Sequence, residues 1–113
     1  MVERRISHRI SVDRIVNIKL SDGSYIKAKM INLSERGLAI IYRASAQIGD
    51  VLALAFSLSY QDITHDVSIK GIVRHSYFKG SNYRIGLEFQ DCDDKTLKSI
   101  RSFIHYKLSR ITV

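Results

Sequence analysis

The chain has 113 residues, 45% of them apolar and 26% charged, with a formal net charge of +7 and a pI near 9.8. That length holds one domain with a core of its own, and the apolar share excludes a disordered chain. One cysteine, Cys92, excludes an internal disulfide, and no run of about 18 apolar residues is present to cross a bilayer. The excess of cations points to an anionic partner.

Residues 1–11 follow neither the strand nor the helix period. They read as an arginine-rich arm lying over the rest of the domain, with Ile6 and Ile10 as anchors. From Arg4 to Arg14 the chain carries four arginines and His8 against one acid, Asp13. The charge at this end is unlike the apolar block of a signal peptide, and with a lone cysteine it gives the expectation of a cytoplasmic protein.

Alternation of apolar and polar residues then predicts strands at 14–20 and 25–31, joined by Ser21-Asp22-Gly23-Ser24, a hairpin signal. A third strand is expected at 38–42, a turn at 47–50, and a nearly continuous apolar strand at 51–58. Residues 59–65 are polar and read as a loop. Strands follow at 66–74 and 83–89 around a turn at 78–82. After Asp91 the period changes: Leu97, Ile100, Ile104, Leu108 and Ile111 recur at helical steps, and Asp93 or Asp94 supplies an N-cap. The expected fold is all-β in character, a small six-stranded antiparallel barrel over residues 12–90, with a C-terminal helix at 93–111. Closure suits so small a sheet, because open edges invite pairing with other chains.

The chemistry-bearing residues narrow the function. His8, His65, His75 and His105 are scattered and Cys92 stands alone, so no metal site is expected. Asp91, Asp93 and Asp94 are explained by helix capping, no glycine-rich phosphate loop occurs, and the chain is not expected to be an enzyme.

Two stretches remain. Asn32-Leu33-Ser34-Glu35-Arg36-Gly37 joins two strands and offers an amide, a hydroxyl and a glycine that permits positive φ or close approach of a ligand. A plain turn uses the same residues. The arm offers Arg4, Arg5 and Arg9, whose guanidiniums can lie bidentate on a phosphate or a guanine edge and stack on a base.

Taken in order, Arg5-Ile6-Ser7-His8-Arg9, Asn32-x-Ser34-x-x-Gly37 and Tyr83-Arg84-Ile85-Gly86-Leu87-Glu88-Phe89 resemble the PilZ domain family over nearly the whole chain. The resemblance implies a receptor for the bacterial second messenger cyclic di-GMP, with no further cofactor. By it, Arg5 and Arg9 match the arginines that grip phosphates and guanine edges. Asn32 and Ser34 match the polar pair meeting a guanine, and Gly37 closes the turn. Asn stands where Asp is commoner, which removes one negative charge. Arg36 is within reach of a phosphate, and Arg74 stands where the family often places a large stacking side chain. Arg4, directly before the first arginine, is where a basic residue can accompany capture of a stacked ligand dimer. The expected output is an arm ordered over the barrel and read by an effector protein, without membrane insertion. Two other readings are a nucleotide-independent adaptor for an acidic partner and a basic barrel binding single-stranded nucleic acid. The latter is disfavoured, because the tyrosines are dispersed and tryptophan is absent.

Overall fold

Side chains of a strand alternate between two faces, so a sheet rolled into a ring puts every second residue inside. The computed structural model describes residues 8–111. In order they form β1 (Ile10–Lys19), β2 (Tyr25–Leu33), β3 (Gly37–Tyr42), β4 (Val51–Tyr60), β5 (Ile63–Lys79), β6 (Asn82–Gln90) and α1 (Asp94–Ile111). The strands close antiparallel in the order β1-β2-β3-β6-β5-β4. The predicted six-stranded barrel with its terminal helix is what the chain forms. Val16 and Ile18, Ala28 and Met30, Leu38 and Ile40, Leu54 and Leu58, Val67 and Val73, and Ile85 and Leu87 fill its interior.

Every strand runs past its expected bounds at one end or both, and two of these extensions change the reading. Ile10 and Ser11 belong to β1, opposite Leu33 and Asn32, and Ile10 is buried. The arm is therefore pinned from residue 10 onward, and Arg4, Arg5 and Ile6 lie outside the described residues. Residues 59–65 are not a loop. Tyr60 and Ile63 pair across a two-residue turn whose residues Gln61 and Asp62 have φ of 52° and 62°. Positive φ at both central positions is the hairpin geometry that matches strand twist. Among the polar residues that suggested a loop, Ser59 and Thr64 face outward on the hairpin and their hydroxyls share a hydrogen bond of 3.0 Å.

Helix α1 starts at a cap. The Thr96 amide donates to Asp93 Oδ1 at 2.7 Å, and this bond holds the Asp93 carboxyl below its ordinary range. Ile100, Phe103 and Ile104 are buried, while Leu97 and Leu108 are half-buried. Phe103 was not in the predicted stripe, yet it is fully enclosed. Tyr60 meets it edge-on at 5.9 Å, and Arg14 and Lys107 hold their charges 5.2 and 5.4 Å from its ring centre. The helix is thus fastened to β1 and β4.

Candidate functional site

The outer face of β2-β3-β6-β5 holds the site, and strand register builds it. Asn32 pairs with Ala39, Ala39 with Gly86, and Gly86 with His75, giving one row across four strands. A neighbouring row runs Ile41, Arg84, Tyr77. Ala39 and Gly86 make a floor without tall side chains. Polar and cationic groups rise around it, enclosing a groove of ≈ 570 Å³ lined by Arg9, Asn32, Arg36, Gly37, Arg74, His75, Tyr77, Arg84 and Glu88. Bulges lie at both walls, between Met30 and Asn32 in β2 and between Val73 and His75 in β5. A bulge adds one residue to its strand and re-aims the side chains beyond it. In β5 it leaves the consecutive Arg74 and His75 both exposed.

Five of the predicted site residues meet in this groove: Arg9, Asn32, Arg36, Gly37 and Arg74. Arg9 Nη1 donates to Asn32 Oδ1 at 2.6 Å, which ties the start of β1 to the end of β2. Arg74 is not a free stacking group, because its Nε donates to Glu88 Oε1 at 2.7 Å in an exposed ion pair.

Ser34 requires a correction. It is 1% exposed and faces the protein rather than the groove. Its Oγ accepts from the amides of Arg36 and Gly37 at 3.2 Å each and lies 3.3 Å from the Gly37 carbonyl oxygen. The hydroxyl is consumed in holding the turn, a common local use of serine.

Gly37 needs a second correction. Its φ is not positive, and what approaches it closely is the neighbouring strand, since an added Cβ would collide with the Leu87 carbonyl oxygen. Gly37 is needed for β3 to lie against β6. The turn also looks two ways: Arg36 faces the groove, while Glu35 accepts from Arg101 Nε of α1 at 3.0 Å.

Arg84, His75, Tyr77 and Glu88 also line the groove, and the sequence reading assigned none of them to the site. Alternation in 83–89 is enough to place Arg84, Gly86 and Glu88 on the outer face. The pairing order that sets them beside Asn32 is not written in any one segment. Among the described residues no group of three His, Cys, Asp or Glu is placed to hold a metal ion. Burial, with Asp93 and Asp94 nearby, pushes the Cys92 thiol up, which opposes a thiolate nucleophile. Among the described residues no helix is long and apolar enough to cross a membrane.

Comparison with known proteins adds a family. Residues 3–106 match the model of the PilZ domain. The fold is similar to that of the Bacillus subtilis inhibitor of motility MotI/DgrA, with TM-score 0.82 and 20% identity over 96% of this chain and 53% of that one. It is also similar to Escherichia coli YcgR in complex with c-di-GMP, with TM-score 0.76 and 19% identity over 96% of this chain and 47% of that one. The chain thus spans about half the length of these two proteins. The PilZ domain of the same YcgR with c-di-GMP aligns at TM-score 0.71 and 17% identity, covering 96% of this chain and 93% of that chain. No curated protein sequence matches the chain.

Proposed function

This chain belongs to the PilZ domain family, and from that premise we propose that it is a receptor for cyclic di-GMP which binds the nucleotide in the groove between Arg9 and Arg84. The observation that carries the reading is the Arg9–Asn32 hydrogen bond at the rim of a groove with a small-residue floor. Cyclic di-GMP presents two phosphates and two planar purines. The groove answers with four guanidiniums, those of Arg9, Arg36, Arg74 and Arg84, against one carboxylate, Glu88. A guanidinium meets phosphate or the O6/N7 edge of guanine in bidentate fashion.

The amide of Asn32 is oriented by its neighbour. Arginine can only donate, so Oδ1 faces Arg9 and the two N–H groups of Nδ2 are left to donate to guanine acceptors. Ser34 and Gly37 act one step back by fixing the turn that carries Arg36. Arg4 and Arg5, which lie outside the described residues, are assigned to the phosphates by resemblance alone.

In this reading the chain is a binding module rather than an enzyme, works in the cytoplasm, and signals through an effector protein. Titration calorimetry with cyclic di-GMP, with GMP and a DNA oligonucleotide as controls, tests it. Saturable binding of the cyclic dinucleotide, lost in Arg9→Ala, is expected. No heat with cyclic di-GMP overturns the receptor reading and leaves a nucleotide-independent adaptor.

A further inference from the structure

The β5 bulge delivers one residue into the groove for which the motifs give no account. His75 stands opposite Gly86, and its imidazole occupies the space where a side chain on Gly86 would be. A Cβ at that position would collide with the ring at Cε1, Nε2 and Nδ1. The absence of a side chain on β6 therefore seats the imidazole on the groove floor, in the same row as Asn32 and Ala39. The residue is exposed, and Tyr77 stands beside it with ring centroids 6.0 Å apart and planes at 33°.

We propose that His75 contacts the bound nucleotide and meets its phosphate charge as an imidazolium, so that ligand binding takes up a proton. This rests on the receptor reading given above. The charged and titratable groups that line the groove with His75 are Arg74 and Tyr77 on β5, Arg84 and Glu88 on β6, Arg9 just before β1 and Arg36 in the turn. β2 and β3 contribute the uncharged Asn32 and Ala39. Two phosphates placed among these guanidiniums supply negative charge that an imidazolium on the groove floor would meet. An imidazole is the side chain whose charge ordinarily changes between pH 5 and 8, whereas carboxylates, phenols and guanidiniums ordinarily titrate outside that window. A bound anion favours the protonated form, so the contribution is present at the acid end and lost as pH rises.

The experiment is calorimetric titration of cyclic di-GMP at pH 7 in two buffers of different ionisation enthalpy, and then from pH 6 to pH 8 in one of them. The wild-type protein should show a buffer-dependent enthalpy, and affinity should weaken by roughly 3- to 10-fold across those two pH units. His75→Gln keeps a polar side chain but cannot titrate. It should bind at the alkaline level of the wild type, with a flat profile and one enthalpy in both buffers. Gly86→Ala, which evicts the ring, should also flatten the pH profile and remove the buffer dependence whatever its affinity, with folding checked by its melting temperature. If the wild-type enthalpy is identical in both buffers, or His75→Gln retains the wild-type pH slope, the inference is overturned and the receptor reading stands. If the wild-type protein binds no cyclic di-GMP at any pH, both fall.

Discussion

Arg9 and Asn32, 23 residues apart in sequence, are joined side chain to side chain by a 2.6 Å hydrogen bond on the barrel's outer face. The two motifs are therefore one unit, and substitutions in them should not add. Arg9→Ala should cost nucleotide affinity roughly 2–4 kcal/mol, since a charged donor is lost. Asn32→Ala should cost less itself. It should also shrink the effect of Arg9→Ala, because the guanidinium has already lost its anchor. A double-mutant cycle by calorimetry reads this, and strictly additive losses would show that the bond does not position Arg9.

Ser34 and Gly37 should fail through stability rather than through contact with ligand. Ser34→Ala leaves the buried amide of Gly37 without its side-chain partner, a loss of about 1–3 kcal/mol. Gly37→Ala puts a methyl group against a backbone carbonyl that cannot move aside as a side chain would, and should cost about as much or more. Both variants should melt lower than wild type. Unchanged melting temperatures with weakened binding would instead mean that these residues touch the nucleotide.

Phe103→Ala should be the most damaging single truncation in the helix. The ring is fully buried between Tyr60, Arg14 and Lys107, and aromatic truncations in cores cost about 3–5 kcal/mol. Chemical denaturation followed by circular dichroism measures it. A loss no larger than that of Leu97→Ala, whose side chain is only half-buried, would mean that the helix is not anchored through Phe103.

The helix start should respond to acid. The Asp93 carboxyl is held below its ordinary range chiefly by the Thr96 amide. A depressed carboxylate stabilises the fold above its unfolded-state value, and that support is lost as pH falls through the folded-state value. Helicity should therefore fall as pH drops below about 4, the ordinary carboxylate region. Asn also caps helices well, so Asp93→Asn should keep the helix while flattening this part of the titration. An unaltered acid transition in that variant would assign the effect to another carboxylate.

The fold was legible because its signals are local. Inward residues such as Val16, Ile18, Ile85 and Leu87 alternate cleanly, and the change to helical spacing after Asp91 is sharp. The hairpin at Gln61-Asp62 was not legible, since it lacks glycine and its polar strand residues resemble a loop. Part of the groove lining was legible in Arg9, Asn32, Arg36, Gly37 and Arg74. The rest depends on β6 lying between β3 and β5, which puts Arg84 and His75 across from Asn32. It also depends on a bulge that no residue in 73–75 announces. The inward turn of Ser34 was hidden for a related reason: the same hydroxyl serves a turn or a ligand equally well, and only burial distinguishes them.

The β4–β5 hairpin reaches beyond the ring that closes the barrel. Residues 63–69 of β5 pair with β4 but not with β6, whose pairing with β5 begins at Lys70. The first turns of α1 lie along that stretch, with Lys95, Thr96 and Ser99 facing Thr64 through Ser68 across a shallow cleft. The helix thus stands beside strand backbone that β6 leaves unpaired and narrows another chain's access to it. A chain truncated before Asp94 would offer its unsatisfied strand to a second copy, and its characteristic failure would be self-association edge to edge, setting in before the barrel itself came apart.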